Sequence, residues 1–449
     1  MNKFAEYMRD HTAGKTVCIL GFGREGKSTY RILEKYCSPR SIAIADLNSV
    51  DRAVNKLPDS VELITGEGYQ ECLNKFDIVF KSPGIVLNQP PSHLKCEITS
   101  ETQIFFTVYR EQIIGITGTK GKSTVTSLIY HILKESGKDC RIAGNIGIPV
   151  FDIAEDMGED TIVVCELSCH QLEYMTVSPS KAVFLNLYEE HLDHYGTMEN
   201  YYNAKKNIYL HQKDEDTLLI NSDIAPKEFR SWYVYTVSNS DPSADVFVSG
   251  GVIIAEDNKY VIPTDRIKLL GVHNHYNIAV AYEMTVMSSL VEPEEFDKAL
   301  CTFDPLAHRL EYAGTFRDIR WYDDSISTAC ATAIEAVKSV PEAATILIGG
   351  MDRGIDYTPL VDFLKTSAVN VICMEASGKR VYDMLLEACG EGPRISYVPH
   401  LEDAVKLAAE ITPAGKSCIL SPAAASYGIF KNFEERGDVF KKLVKELEK

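Results

Sequence analysis

The sequence has 449 residues, of which 45% are hydrophobic, so it can bury large cores, and its length predicts about three domains. Its formal net charge of −18 argues against nucleic acid or an anionic membrane surface as the main partner, and its twelve cysteines without a CxxC pair indicate reduced, mostly buried thiols. No leader-like segment and no run approaching about 18 apolar residues is present, so we expect a cytoplasmic protein without membrane insertion.

The first predicted elements form βαβ units. Residues 16 to 106 alternate short β-rich runs with helical patterns, which predicts a parallel sheet. The first turn, GFGREG (21 to 26), is a complete GxGxxG, and Asp46 ends the next predicted strand. Taken alone, this pattern predicts NAD binding and an oxidoreductase.

The next element is the most informative segment of the chain. An apolar predicted strand from Ile113 runs into the loop GTKGKST (118 to 124), and a helix is predicted over Ser123 to Leu133. Glycines let backbone N–H groups point at phosphate oxygens, a lysine adds positive charge near the β- and γ-phosphates, and a hydroxyl can ligate Mg²⁺. The loop is shorter than the common GxxxxGK[ST] pattern, because Ile116 stands where that pattern begins with glycine. We interpret the segment as an ATP phosphate cradle made of Gly118, Thr119, Lys120, Gly121, Lys122, Ser123 and Thr124.

Two further blocks complete the predicted α/β fold class. The strand runs DTIVVCELS and KAVFLNLYEEH lead to a helix near 272 to 290, and a β-rich insertion is predicted over 221 to 262. From about His308, the runs IRWYDDS, ATILIGG, VNVICMEA and SCILSPA alternate with helices. We therefore predict three domains: a Rossmann-like N-terminal domain (1–104), a central P-loop ATPase-like domain (105–305) and a C-terminal doubly wound domain (306–449).

Several motifs in series resemble the Mur ligases over essentially the whole chain. They are GTKGKST (118 to 124), GNIG (144 to 147), ELSCHQLE (166 to 173), NLYEEHLDHYG (186 to 196), AKKNIY (204 to 209), HNHYN (273 to 277), HRLE (308 to 311), YDDSISTACAT (322 to 332) and SPAAASYGIFKNFEERG (421 to 437). The closing FKNFEERG favours the branch that adds D-glutamate to UDP-N-acetylmuramoyl-L-alanine for peptidoglycan synthesis. Such ligases use ATP to phosphorylate a carboxylate, and an amine then displaces phosphate.

The resemblance implies ATP, two Mg²⁺ ions and three catalytic residues, Lys122, His191 and Lys205. Ser123 and Glu166 resemble the ligands of one Mg²⁺, His191 resembles a ligand of the second, and Lys205 aligns with the family lysine that CO₂ carbamylates. From the residues alone, Glu166 equally fits a loop cap and His191 a surface histidine, while the helical run around Lys205 favours a solvated face. Zinc is not predicted from the pairs His191/His194 and His273/His275, because zinc sites usually draw on tighter Cys and His motifs.

The resemblance also implies the substrate sites of an enzyme that we expect to be a monomer. Further ATP contacts come from Asn274, Asn277, Arg309 and Asp324, although the two asparagines also suit helix N-caps. The UDP substrate, in place of NAD, is bound by Gly23, Arg24, Glu25, Asp46, Leu47, Asn48, Ser82, Gly84, Asn145 and His191. D-glutamate is received by Thr328, Arg353, Ser426 and Phe433.

Three positions depart from the family pattern, and alternative functions stay open. Ile326 stands where relatives commonly carry lysine, Arg353 replaces lysine within GGMDRG, and His170 replaces a more usual aromatic. A sister Mur ligase or a folylpolyglutamate synthase-like ligase is the alternative within the class. From other classes come a nicotinamide oxidoreductase that uses the first glycine turn and a nucleotide-gated regulatory protein.

Overall fold

Strands and helices alternate along most of the chain, as the sequence predicts. The computed structural model describes residues 3–227, 231, 233–390 and 394–448. Its strands are β1 (Thr16–Leu20), β2 (Ser41–Asp46), β3 (Glu62–Thr65), β4 (Ile78–Lys81), β5 (Glu97–Thr99), β6 (Ile113–Thr117), β7 (Cys140–Gly144), β8 (Ile162–Glu166), β9 (Lys181–Phe184), β10 (Thr217–Asn221), β11 (Tyr233–Ser238), β12 (Val246–Ser249), β13 (Val252–Ala255), β14 (Asn258–Val261), β15 (Glu311–Phe316), β16 (Ile319–Asp323), β17 (Ala343–Ile348), β18 (Asn370–Met374), β19 (Ile395–Val398) and β20 (Ser417–Leu420).

The helices are α1 (Lys3–Thr12), α2 (Arg24–Tyr36), α3 (Arg52–Asn55), α4 (Glu101–Tyr109), α5 (Lys122–Glu135), α6 (Val150–Ile153), α7 (Cys169–Leu172), α8 (Leu192–Tyr195), α9 (Met198–Lys205), α10 (Val272–Tyr282), α11 (Pro293–Thr302), α12 (Cys330–Ser339), α13 (Thr358–Thr366), α14 (Glu375–Cys389), α15 (Leu401–Ile411) and α16 (Phe433–Glu446). A π-helical turn (Glu283–Met287) continues α10. Among the described helices, none combines the length and the apolar character needed to cross a membrane.

The first sheet is parallel, with the order β3-β2-β1-β4-β5. Alternate residues of β1 enter different cores, since Val17 and Ile19 pack on one face while Cys18 and Leu20 pack on the other. The chain crosses from β1 to β2 on one side and later to β4 on the other, so the carboxyl end of β1 is a topological switch point. The glycine turn lies there, and the predicted Rossmann-like domain is confirmed.

The central sheet has the order β14-β13-β12-β11-β10-β9-β6-β8-β7 and is parallel from β7 to β12. Because β6 lies between β8 and β9, the loops that follow these three strands meet at one edge. The predicted β-rich stretch, 221 to 262, contains β11 to β14, which extend this sheet, while 228–230 and 232 lie outside the described residues.

The third sheet has the order β15-β16-β20-β17-β18-β19, parallel except for the edge strand β15. Helices cover both faces, since Trp321 packs with Phe440 of α16 on one side and Ile346 packs with Leu360 of α13 on the other. This arrangement confirms the predicted doubly wound C-terminal fold.

The chain divides into two compact units by its internal contacts. The first comprises Met1–Ile262 and Tyr276–Leu300, and the second comprises Pro263–His275 and Cys301–Lys449. A shared core, in which the Phe4 and Phe151 rings lie 4.9 Å apart, joins the first two sheets within the first unit. The exact domain limits stay predictions. None of the twelve cysteines, all of which the structure describes, forms a disulfide, and only Cys389 among them is exposed, as expected for reduced thiols.

Candidate active site

The phosphate loop is held by two glycines whose backbone other residues would not adopt. Strand β6 ends at Thr117, and α5 begins at Lys122, one residue before the predicted start. Gly118 has a φ of +153°, and Gly121, the N-cap of α5, has a φ of +86°. A Cβ at Gly121 would lie 2.8 Å from Oδ1 of Asn277, so this turn needs glycine for space as well as for conformation. The N–H groups of the first turn of α5 therefore start directly from the loop.

Lys122 lies across this loop. Its Nζ donates to the carbonyl oxygens of Gly118 and Thr119, both at 3.0 Å. Burial lowers the pKa of Lys122, while the carboxylates of Glu166 and Glu190 act in the opposite direction. The side chain thus brings a partly desolvated positive charge to the concave side of a phosphate-binding turn.

Asn186, which the sequence reasoning missed, fixes the loop from the neighbouring strand. Its Oδ1 accepts from the backbone N–H groups of Thr119 (3.1 Å) and Lys120 (2.8 Å), and its Nδ2 donates to the Lys120 carbonyl (3.0 Å). It lies two residues beyond the end of β9. The available signal was a polar residue just past a buried strand that flanks β6.

Glu166 ends β8, directly beside β6, and is 1% exposed. Its Oε1 accepts from Nδ2 of Asn145 at 2.7 Å, whereas its Oε2 has no hydrogen-bond partner among the described residues. A buried carboxylate oxygen without a partner is costly, and hard cations such as Mg²⁺ take oxygen ligands. Glu166 therefore fits a cation ligand at the loop, near the half-buried Ser123 in the first turn of α5.

Lys205 reaches the same loop from α9. It is 1% exposed, its Nζ donates to the Gly118 carbonyl at 2.8 Å, and it lies 4.9 Å from the centre of the Tyr201 ring. Burial, and then the charge of Lys122, lower the pKa of Lys205 to about 7. The interpretation as a solvated helix face is therefore wrong, and Lys205 is a buried amine beside the phosphate loop.

His191 lies at the border of this group. It immediately precedes α8, has a φ of +58°, and its side chain is 44% exposed. Its ring centre lies 5.2 Å from that of His170 and 5.9 Å from that of Tyr201. Its neighbour Glu190 accepts from Nζ of Lys120 at 2.7 Å, which ties this segment to the phosphate loop.

The glycine turn of the first sheet is shaped by Asp46. Its carboxylate accepts from the backbone N–H of Phe22 on Oδ2 (2.6 Å) and from that of Asn48 on Oδ1 (2.8 Å). Ser82 donates to the Gly21 carbonyl at 2.8 Å. Leu47 is 56% exposed beside this turn, and the candidate positions Gly23 and Gly84 have room, since a Cβ at either would meet nothing within 4 Å.

Arg24 and Glu25 connect this turn to the central sheet within the first unit. Nη1 of Arg24 donates to the Gly147 carbonyl at 2.7 Å, and Glu25 accepts from Nε2 of Gln171 at 3.0 Å. Burial raises the pKa of Glu25. The structure thus brings the GxGxxG turn, the GNIG loop and the loop after β8 together.

The predicted ATP contacts of the second unit lie around Asp324. This carboxylate accepts from Oγ of Ser421 at 2.7 Å and from the N–H of Leu310 at 3.3 Å, next to the exposed Arg309. Burial raises the pKa of Asp324 to about 6. The two asparagines of HNHYN are not N-caps, because α10 begins at Val272, before both. Nδ2 of Asn274 donates to the Leu270 carbonyl at 2.5 Å, and Asn277 belongs to the first unit.

The predicted D-glutamate residues follow strand ends of the third sheet. Ser426 is buried in the segment after β20, and Arg353 is exposed in the loop after β17. The N–H of Met351 joins these loops by donating to the Ala425 carbonyl at 2.8 Å. Thr328 is half-buried before α12, and Phe433 starts α16. Arg353 has no hydrogen bond or ion pair with the described residues.

Arg436 is a positioning residue that the sequence reasoning quoted within FKNFEERG without assigning a role. It is fully buried, and it donates to Oγ of Ser325 (3.0 Å), to the Ser325 carbonyl (2.8 Å) and to the Ala424 carbonyl (3.0 Å). Ser325 in turn donates to the Phe433 carbonyl at 2.8 Å. One buried guanidinium thereby holds together the segments that carry Ser426, Phe433 and the end of β16.

Comparisons with known proteins agree with this geometry. Residues 116–285 match the Mur ligase middle domain, and residues 15–101 match the Mur ligase MurD-like N-terminal domain. Proteins named UDP-N-acetylmuramoylalanine--D-glutamate ligase are similar over nearly the whole chain. That of Ruminiclostridium cellulolyticum is 30% identical, covering 100% of both chains, and that of Pelotomaculum thermopropionicum is 33% identical, covering 98% of this chain and 100% of its own.

Solved structures share the fold at low sequence identity. The MurF ligase of Thermotoga maritima in complex with ADP has a TM-score of 0.59 at 16% identity, covering 99% of this chain and 100% of its own. The UDP-N-acetylmuramate-alanine ligase MurC of the same organism also has a TM-score of 0.59, at 15% identity, covering 96% and 99%.

Proposed function

This chain belongs to the Mur ligase family, and we propose that it adds D-glutamate to UDP-N-acetylmuramoyl-L-alanine at the expense of ATP, in the synthesis of the peptidoglycan precursor. The relatives that carry this activity in their names match the chain from end to end, so the proposal concerns the whole molecule. We assign the steps to three domains, 1–104, 105–305 and 306–449, and infer that the enzyme acts as a monomer in the cytoplasm, where ATP and nucleotide-linked sugars are made.

The reaction must activate a carboxylate, because an amine does not displace an oxide ion from it. One oxygen of the L-alanine carboxylate attacks the γ-phosphorus of ATP, which gives an acyl phosphate and ADP. The neutral amine of D-glutamate then attacks the acyl carbon, the tetrahedral intermediate expels inorganic phosphate, and the nitrogen loses its proton as the amide forms. The protein has to align three anionic reactants and neutralise their charge.

The phosphate loop meets the first of these needs. The N–H groups that open α5 and the Lys122 ammonium point at the place where the β- and γ-phosphates bind. Asn186 holds two loop N–H groups and one loop carbonyl, so the turn is formed before the nucleotide arrives. The cost of organising the loop is therefore already met in the folded protein.

Four side chains around this loop, of which Glu166 and Lys205 are buried, fit the two expected Mg²⁺ ions. Ser123 and the free Oε2 of Glu166 would hold one ion, and His191 with a carbamate on Lys205 would hold the other. Bound Mg²⁺ would neutralise phosphate oxygens and help to align them. Carbamylation needs a neutral amine, which attacks CO₂ and loses a proton, and the lowered pKa of Lys205 supplies that amine near neutral pH.

The uridine diphosphate of the acceptor and the incoming D-glutamate are proposed to bind at separate sites. Gly23, Arg24, Asp46, Leu47, Asn48, Ser82 and Gly84 line the turn proposed for the uridine diphosphate, and Glu25 and Asn145 link it to the β8 end. Arg353, with Thr328, Ser426 and Phe433, is proposed to receive the carboxylates of D-glutamate. Asn274, Asn277, Arg309 and Asp324 are proposed to complete the ATP site.

The nicotinamide alternative is not favoured. In an NAD site, the acidic residue after the second strand binds ribose hydroxyls. Here both oxygens of Asp46 accept backbone N–H groups, and the relatives that match the chain are ligases. The glycine turn is thus a nucleotide-binding shape used for a different ligand.

The observation that carries the proposal is a phosphate loop that both Lys122 and the buried Lys205 contact, beside a neighbouring strand that ends in Glu166, whose Oε2 has no hydrogen-bond partner among the described residues. We expect purified protein to release ADP over many turnovers only when UDP-N-acetylmuramoyl-L-alanine and D-glutamate are both present with ATP and Mg²⁺. Equal release with L-glutamate, or with another amino acid alone, would contradict the assignment of the substrate.

A further inference from the structure

Three side chains that can ligate a metal through sulfur or nitrogen come together beside the phosphate loop, and the proposed reaction does not use two of them. The Sγ of Cys169, a ring nitrogen of His170 and a ring nitrogen of His191 all lie within 4.8 Å of one another. Cys169 and His170 open α7 after β8, whereas His191 precedes α8 after β9. Sequence spacing could not reveal the group, because the two segments are neighbours only through the order of the central sheet.

We propose that Cys169, His170 and His191 form a binding site for Zn²⁺ or a similar thiophilic divalent ion. Zn–S and Zn–N bonds of about 2.3 and 2.1 Å in a tetrahedron place ligand atoms roughly 3.4–3.6 Å apart, a spacing that small side-chain rotations can reach from the present one. A thiol with two imidazoles is a donor set for zinc and not for magnesium, which takes oxygen ligands.

Neighbouring side chains pack around Cys169 and His170. The hydroxyl of Tyr195 contacts Nδ1 of His170 at 3.3 Å, and Cys169 is 2% exposed. His194, whose ring centre lies 4.5 Å from that of His170, is paired with Glu173 at 3.4 Å, so it acts as a neighbour of the site. The exposed edge of His191 gives an ion access, and a water molecule would be the fourth ligand.

Zinc binding at this site has two consequences, the release of a proton and an effect on catalysis. The thiol of Cys169 loses its proton to the buffer as its sulfur bonds to Zn²⁺, and the imidazoles bind through lone pairs, so one proton leaves for each ion bound. The second consequence rests on the proposed function. Because His191 is shared, a bound zinc ion withdraws a ligand of the second Mg²⁺, and we expect Zn²⁺ to inhibit the ligase in competition with Mg²⁺.

Cobalt(II) tests the site without reference to activity. Titration of the reduced full-length protein with Co²⁺ is expected to give visible d–d bands of tetrahedral cobalt and a near-ultraviolet thiolate-to-cobalt band that saturate at one ion per chain, and Zn²⁺ is expected to bleach both. Cys169→Ser should lose the thiolate band, and His170→Phe should weaken Co²⁺ binding by tenfold or more. The controls Cys389→Ser and His93→Gln, which change an exposed cysteine and an exposed histidine elsewhere, should behave as wild type.

Several results would overturn the site. No thiolate band in the wild type, a band that persists in Cys169→Ser, or a band lost in Cys389→Ser would each do so. Thermal unfolding checks that the variants fold, and if Cys169→Ser does not, Cys169→Ala and His170→Phe decide the question by the same spectra. Cobalt bands in a protein that releases no ADP with its substrates would leave the metal site standing and refute the proposed function. Zn²⁺ inhibition that is equal in wild type and His170→Phe would refute the shared role of His191.

Discussion

At the scale of single residues, two ammonium groups compete for one oxygen. Nζ of Lys122 and Nζ of Lys205 both donate to the Gly118 carbonyl, at 3.0 and 2.8 Å. Burial, and after it the charge of Lys122, lower the pKa of Lys205 to about 7. We therefore propose that Lys122 stays positive for the phosphates while Lys205 supplies the neutral amine that reacts with CO₂.

We expect Lys122→Ala to lower kcat for ADP release by about 10²–10³-fold, because a charge on the transferring phosphoryl group acts mostly in the transition state. Lys134→Ala, which changes an exposed lysine in the last turn of the same helix, should leave the rate unchanged. Steady-state kinetics compare the two variants. A Lys122→Ala enzyme with near-normal ligation would contradict the role of the loop.

The lowered pKa of Lys205 predicts how activity depends on pH and CO₂. A lysine whose folded pKa is lowered is charged below that value and neutral above it, so the amine becomes reactive as the pH rises through about 7. At constant dissolved CO₂ the initial rate should rise through this range, and CO₂-free buffer should reduce it. Lys205→Ala should cost about 10–100-fold or more, with partial rescue by acetate. A fully active Lys205→Ala would refute the carbamate.

Arg353 is exposed, and we propose it as the cation that binds the carboxylates of D-glutamate, since Ile326 brings no charge to the segment before α12. We expect Arg353→Ala to raise the KM for D-glutamate by about 10–100-fold, or roughly 1.4–3 kcal/mol, with the KM for the UDP substrate changed by only a few fold. Arg353→Lys should restore only part of the affinity, because lysine lacks the planar two-point grip. Arg394→Ala is the control, because Arg394 precedes β19 and so lies at the amino ends of the strands, whereas Arg353 follows the carboxyl end of β17. A change confined to the ATP KM would move Arg353 to the nucleotide site.

The sequence predicted the residues whose chemistry is local and missed those that act through space. Gly118, Gly121 and Lys122 lie within five residues of one turn, so their spacing in the sequence predicts a phosphate-binding loop. Asn186 lies 66 residues along the chain from Lys120 and Arg436 lies 111 residues from Ser325, so only tertiary packing brings these groups together. Lys205 shows the same limit, because its sequence context predicts a solvated helix face and its packing buries it.

At the scale of elements, α5 is bounded by two glycines with positive φ that serve different ends. Gly121 begins it at a φ of +86°, and Gly137 follows its end at a φ of +72°, with nothing within 4 Å of an added Cβ. A Cβ added at Gly121 would lie 2.8 Å from Oδ1 of Asn277, whereas one added at Gly137 would have open space. Substitution of Gly137 would therefore test only the conformational strain of a positive φ, whereas substitution of Gly121 would add a steric clash in the phosphate loop.

We expect Gly137→Ala to lower the free energy of unfolding by about 1 kcal/mol without changing ATP affinity, because only the left-handed conformation is penalised. Gly121→Ala should cost the same conformational energy and also displace the loop, so ATP binding should weaken by tenfold or more. Urea unfolding and nucleotide titration measure the two effects. Equal ATP affinity in both variants would show that the loop tolerates a side chain at its N-cap.

Element boundaries followed from the sequence except where tertiary packing set them. The predicted start of α5 at Ser123 differs by one residue from the observed Lys122, and the β-rich stretch after residue 221 continues the central sheet. Its place beside β10 could not be predicted, because edge strands of a mixed sheet carry little periodic signal of their own. The sequence context of Asn274 also suited a helix N-cap, but α10 begins at Val272, so Asn274 lies inside the helix.

At the scale of the whole molecule, three α/β sheets with their helices could be predicted, because alternating strands and helices leave few ways to cover a parallel sheet on both faces. The shared core of the first two sheets was not predictable, because Phe4 and Phe151 are distant in sequence and belong to helices of different blocks. This shared core lets the glycine turn and the β8 end contact each other through Arg24 and Glu25.

The central claim is that this chain joins D-glutamate to UDP-N-acetylmuramoyl-L-alanine through an acyl phosphate. The most direct test labels the L-alanine carboxylate with ¹⁸O and follows the products by mass spectrometry. We expect an amide product that contains glutamate from the D-isomer alone, together with one ¹⁸O atom transferred to inorganic phosphate. This expectation would be contradicted if no glutamate-containing product formed, or if the amide formed while the phosphate carried no label.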